Sequence, residues 1–158
     1  MKVIYLFFSF LFFAIIIAGC SGEGGDGKKL PMELVINGTY SGVEAKKELI
    51  LNNNDEYQKL MSEVYNNLDQ MPRIPVVDFT KYTLIAVFIG PRNTGGYMVN
   101  IDSINDGNKS VSVNVVEETP GKNCNTMQIV TRPYTIVKIP KTDKKAVFTY
   151  KQIVKDCQ

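Results

Sequence analysis

Two short segments carry the residue types and spacing that could do recognition chemistry. In Gly90-Pro91-Arg92-Asn93-Thr94-Gly95-Gly96-Tyr97, three side chains that can donate hydrogen bonds, Arg92, Asn93 and Thr94, stand before a glycine pair. Such a pair lets a second backbone approach closely. In Arg132-Pro133-Tyr134, two residue types favoured at binding hot spots flank a proline, which interrupts a strand ladder and belongs at an edge or a bulge. Gly90 and Gly95 have the spacing of a phosphate-binding loop. Gly96 and Tyr97, however, stand where that loop needs Lys and Ser or Thr, and a strand follows instead of a helix, so a nucleotide site is excluded. Arg92, Asn93, Thr94, Gly95, Gly96, Tyr97, Arg132, Pro133 and Tyr134 are therefore candidates for partner binding. The alternative is a strand connection followed by a structural kink.

What the chain lacks narrows the rest. It has 158 residues and no histidine. That closes the Ser-His and Cys-His nucleophile pairs, histidine general bases and His-based zinc sites. The carboxylates are scattered, and the adjacent Glu117 and Glu118 must point to opposite faces of a strand, which suits no acid/base pair. Eighteen basic against sixteen acidic residues give no strongly basic footprint for nucleic acid. No catalytic residue, cofactor or metal site is expected, and the composition points to a binding or assembly module.

The elements that must position these segments begin with an exception. Lys2 precedes an apolar run, Val3 to Ala18, broken only by Ser9 and ending Ile17-Ala18-Gly19-Cys20. A positive residue, an apolar core and a small-residue exit describe a secretory signal. The exit resembles the lipobox of bacterial lipoproteins. That resemblance implies cleavage after residue 19, lipidation of Cys20 by acyl chains such as palmitate, and tethering in the cell envelope facing the periplasm or exterior; an uncleaved anchor is the alternative. Residues 20–31, rich in glycine, read as a flexible tether, and residues 32–158 as one domain.

Within the domain, Tyr57, Leu60, Met61, Val64, Tyr65 and Leu68 form a helical stripe that predicts one helix over about 54–68, capped by Asn54 or Asp55. Tyr82 to Ile89 is apolar throughout and suits a central strand buried on both faces. Alternation around 97–101 and 111–116, with the turn Asp106-Gly107 between them, predicts a hairpin. Further β-rich stretches lie at 33–38, 48–51, 127–139 and 146–150. The expectation is an α+β domain, mainly antiparallel sheet or a small sandwich of six to seven strands with one helix. In an oxidising compartment Cys124 and Cys157 are expected to form a disulfide, two free thiols being the alternative.

In order, Val77-Asp78-Phe79, the strand ending Phe88-Ile89-Gly90, Thr94-Gly95-Gly96-Tyr97, Thr119-Pro120-Gly121, Pro133-Tyr134 and Val137-Lys138-Ile139-Pro140 resemble the PrcB-like domain, over roughly residues 45–150. The resemblance implies a non-enzymatic exported lipoprotein, a protease complex subunit that binds and stabilises a secreted protease. Asn93-Thr94-Gly95-Gly96-Tyr97 and Arg132-Pro133-Tyr134 also resemble loops of chagasin-type inhibitors of cysteine proteases, all-β domains that insert such loops into the enzyme cleft. Three functions follow as expectations: an accessory protein for an exported partner, a protease inhibitor using the same loops, or an envelope protein holding a small ligand.

Overall fold

The computed structural model describes residues 27–157; the signal and lipidation site expected at residues 1–20 lie outside the described residues. The elements are β1 (Lys28–Lys29), β2 (Glu33–Gly38), β3 (Lys46–Leu51), α1 (Asn54–Val64), β4 (Tyr82–Ile89), β5 (Met98–Asp106), β6 (Ser110–Pro120), β7 (Tyr134–Pro140) and β8 (Lys145–Lys155). They form two four-stranded sheets, β1-β5-β6-β8 and β2-β7-β4-β3, with α1 against the second. The fold is the expected α+β small sandwich. It has one strand more than expected because Lys28 and Lys29, read in the sequence as part of the tether, pair with Asp106 and Asn105 of β5.

β4 and β7 set the layer order. Leu84, Ala86 and Phe88 of β4, with Tyr134 and Ile136 of β7, pack toward α1. Ile85, Val87 and Ile89, with Val137 and Ile139, pack toward Val99, Ile101, Ile104, Val111, Val113 and Val115 of the first sheet. Alternation along each strand thus feeds two cores, one on each side of the sheet. All strand pairs are antiparallel except β6 and β8, which run parallel from Ser110↔Lys145 to Pro120↔Lys155. The connection 141–144 carries the chain from one sheet to the other.

The helix begins at Asn54, as expected, but its cap is Asn53 instead of Asn54 or Asp55; the Asn53 side chain accepts from the Glu56 amide at 2.9 Å. It ends at Val64, short of the predicted Leu68. The cause is tertiary: the Gly42 amide takes the Val64 carbonyl at 2.8 Å, and a side chain at Gly42 would collide with Asn66 and the Glu63 carbonyl. Leu68 is left half exposed beyond the turn. Pro133 also differs from expectation. β7 is an inner strand, between β2 and β4, and the proline falls just before its ladder begins, where a missing N–H costs nothing.

Between α1 and the second sheet lie three tyrosines, Tyr57, Tyr65 and Tyr134, all buried. The Tyr57 hydroxyl has no hydrogen-bond partner among the described residues. Burial, with Tyr65 adjacent, pushes the Tyr57 and Tyr134 hydroxyls up to about 12 from their ordinary 10.0. A phenol with a raised folded value resists ionisation only while the chain stays folded, so its contribution is complete below pH 10 and is lost as pH rises through 12. The thermal midpoint should therefore hold steady to pH 10 and fall steeply between 10 and 12, and Tyr57→Phe should flatten that fall.

Candidate functional site

The β4–β5 connection and the long segment after β6 meet at one end of the sandwich. Gly90 takes φ +74° to leave β4, a conformation that L side chains adopt rarely. Arg92 and Thr131 then exchange both backbone hydrogen bonds, at 2.8 and 2.9 Å. The Gly95 amide donates to the Met127 carbonyl at 2.9 Å, and the Thr131 hydroxyl to the Thr94 carbonyl at 3.0 Å. The Arg132 amide donates to the Thr39 carbonyl at 2.8 Å, joining the β2–β3 loop to the group. The two candidate segments are thus neighbours, stitched together by main-chain bonds.

Their side chains divide sharply. Asn93 and Gly96 are exposed, and Thr94 and Tyr97 are half-buried. Gly96, at φ +88°, leaves no easy room for a side chain, since a Cβ there would lie 3.1 Å from Pro120 and 3.2 Å from Thr126. Gly95, Pro133 and Tyr134 are buried. Tyr134 stacks on Phe88 with ring centres 5.5 Å apart and belongs to the core. Arg92 turns inward: Nη1 donates to the Ile89 and Pro91 carbonyls at 2.8 and 3.1 Å, and Nη2 to Glu117 Oε2 at 3.2 Å. Its guanidinium carbon also sits 5.7 Å from the Tyr97 ring centre. The expected outward donor is therefore an internal clamp holding the loop on the end of β6. Arg132 is half-buried, with an Nε that is enclosed and has no acceptor among the described residues.

Apolar side chains also face outward here, and sequence reasoning missed them. Residues 127–132, expected as strand, form an open loop in which Met127 is 70% exposed, Ile129 46% and Val130 47%. Met98, Ile153 and Val154 are also exposed at this end, where Met98 pairs with Glu118 and Glu118 with Ile153 across the first sheet. Six of the twelve exposed large apolar side chains among the described residues thus gather around the loop pair. Apolar residues without period-2 alternation, between Asn125 and Pro133, were the available signal.

Cys124 and Cys157 form a disulfide, with Cα atoms 5.1 Å apart. It ties the loop to the chain end, beside the Gly121 amide's bond to the Lys155 carbonyl at 2.9 Å. The outer face of the first sheet holds a shallow open groove lined by Asn100, Asp102, Asn114, Glu118, Thr149 and Lys151. Its polar groups largely satisfy one another: Thr149 donates to Asn114 at 2.7 Å, Asn114 to Ser103 at 3.0 Å and Asn100 to Glu118 at 3.2 Å. At the loop end, the Glu117 carboxylate is held by Arg92. The arrangement offers a contact surface.

Two stability measurements check this anatomy. Arg92→Ala strands the buried Glu117 carboxylate and should cost about 2–3 kcal/mol in urea titration, less than a fully buried pair because Arg92 keeps 27% of its side-chain exposure. Arg92→Leu combined with Glu117→Leu should recover most of that loss. Reduction of the disulfide, which closes a separation of 33 residues, should cost roughly 3–4 kcal/mol and speed amide exchange in the 122–130 loop first.

No curated protein and no solved structure matches the chain. Residues 83–140 match the family model described as PrcB C-terminal. The match runs from Thr83 in β4 to the last residue of β7, so it contains both loops and leaves out α1 and β8. Over this segment the chain is similar to the PrcB C-terminal family.

Proposed function

We propose that this protein is a membrane-tethered, exported accessory, without catalysis of its own, that binds and stabilises another exported protein, a protease. The tether is the lipid on Cys20, and the domain stands in the cell envelope, facing the periplasm or exterior. The partner docks on the loop end of the sandwich, against Met127, Ile129 and Val130, with Asn93, Thr94 and the open backbone at Gly96 beside them.

The match of residues 83–140 to the PrcB C-terminal family supports the protease-complex part of this reading. The observation that carries the surface is the gathering of exposed apolar side chains around a loop pair held rigid by main-chain bonds and a disulfide. Exposed apolar side chains collected at one end of a small domain point to an interaction site, and a preorganised loop loses little entropy on binding. Arg92 and Tyr134 contribute by fixing the loops, so their substitution would act through stability. The groove on the first sheet supports a small-ligand role less well, since its polar groups largely bond to one another.

The test is recovery of partners with the affinity-tagged full chain, solubilised from the envelope in mild detergent. One exported protease should co-purify stoichiometrically. Met127→Glu with Ile129→Glu should reduce its recovery by at least about tenfold. Val147→Glu, on the outer face of β8, should leave it intact. Peptidase activity with and without the chain separates a stabiliser from an inhibitor: a rise or longer lifetime supports the first and a loss supports the second. Recovery of no stoichiometric protein overturns the reading.

A further inference from the structure

The other end of the sandwich has a different chemistry. Four lysines line the end of the first sheet from edge to edge. Lys28 and Lys29 lie on β1, Lys109 in the β5–β6 turn, and Lys145 at the start of β8, opposite Ser110. All four are exposed, and none makes an ion pair among the described residues. Lys144 stands among them but is held by Asp106 at 2.6 Å and by the Gly107 carbonyl at 2.9 Å. Among the described residues, Asp143 is an acid beside the row without an ion pair, and Lys141 lies two residues before it; in the sequence, Glu23 and Asp26 precede Lys28. Counting Lys141 with the four lysines, five basic residues stand against Asp143, Glu23 and Asp26, so a positive excess remains.

This is also the end from which the chain leads back to residues 1–26. The Gly27 backbone lies against Asp106 and Gly107, in the same turn that carries Lys109. Seven residues separate Cys20 from Lys28, too few to hold the domain far from a bilayer in which the apolar run Val3–Ala18 or a lipid on Cys20 is seated. We infer that the Lys28, Lys29, Lys109 and Lys145 row is a membrane-facing surface that rests on anionic lipid headgroups and turns the loop end away from the bilayer. The inference rests on the membrane-anchor reading above. Each lysine at an anionic leaflet strengthens association about fivefold, and the effect fades within a Debye length. Four at one end of the sheet, with Lys28 and Lys29 on opposite faces of β1, therefore favour that end toward the bilayer at moderate salt.

The chain contains no tryptophan, so one introduced indole reports on one place. The full-length protein carrying Asn108→Trp, in the exposed turn beside Lys109, would be reconstituted into phosphatidylcholine vesicles and into vesicles containing phosphatidylglycerol. Anionic vesicles should shift the emission to the blue and expose the indole to a headgroup-located quencher. Both effects should disappear in high salt and when Lys28, Lys29, Lys109 and Lys145 are changed together to Gln. The same measurement on Gln128→Trp, at the loop end, should show no difference between lipids. Identical Asn108→Trp spectra in both vesicles, or a response that survives the lysine changes, overturns the inference. Flotation with neutral vesicles reads the anchor separately. Failure to float sinks the anchor reading, and the lysine surface is then judged by flotation with anionic vesicles at low salt, where no binding overturns it as well.

Discussion

Every side chain of β4 from Thr83 to Ile89 is buried, and β7 beside it is buried almost as completely. A strand apolar on both faces must be covered on both, and a chain of this length can supply two covers. One is α1, whose stripe of Tyr57, Leu60, Met61 and Val64 meets Leu84, Ala86 and Phe88. The other is the first sheet, whose valines and isoleucines meet Ile85, Val87 and Ile89. The remaining strands serve this requirement. β2 and β3 flank the central pair, and the connection 141–144 is the short crossing that lets β8 complete the opposite layer. The loops gather at the ends because the sides are filled.

At the loop end, one buried carboxylate organises the rest. Glu117 faces inward on β6, at a position where valines occupy the preceding inward sites. A carboxylate there would be costly without a partner, and Arg92 supplies one from the other loop. The same guanidinium caps the end of β4 through the Ile89 carbonyl. A single cation thus fixes the path of the β4–β5 loop, which in turn orders 127–132 through the Arg92–Thr131 and Gly95–Met127 bonds. With these polar groups turned inward, Met127, Ile129 and Val130 are left facing solvent beside polar neighbours such as Asn93, Asn125 and Gln128.

How far this was legible in the sequence follows from the range of the forces involved. The helix stripe, the doubly buried β4 and the Asp106-Gly107 hairpin rest on local periodicity and turn chemistry, and all three are present. The misplaced features depend on distant partners. Leu68 lies on the stripe, yet the helix stops at Val64 because Gly42 claims its carbonyl. Pro133 suggested an edge, yet β7 is central because the ladder starts one residue later. Arg92 reads as a surface donor until Glu117, 25 residues away, is placed beside it. Tyr134 has the composition of a hot spot and the environment of a core residue. Neither the proximity of the two candidate segments nor which of their side chains face out could be read from the sequence, since both depend on pairings between distant residues.

The parallel pairing of β6 with β8 is the departure from an otherwise antiparallel design, and it determines the polarity of the molecule. Had β8 run antiparallel to β6, the chain would end beside Lys109, at the same end where Gly27 enters. Running parallel, it carries the C-terminal cysteine to the loop end instead, where the disulfide closes on Cys124. The two ends of the described chain are thereby separated by the length of β6, eleven residues or about 36 Å of extended strand. Exposed lysines stand where the described residues begin and exposed apolar side chains where they end, so the two proposed surfaces lie at opposite ends of the sandwich. Contact with an acidic surface at one end leaves the apolar loops free at the other. A domain with both features at a single end would have to release one in order to use the other.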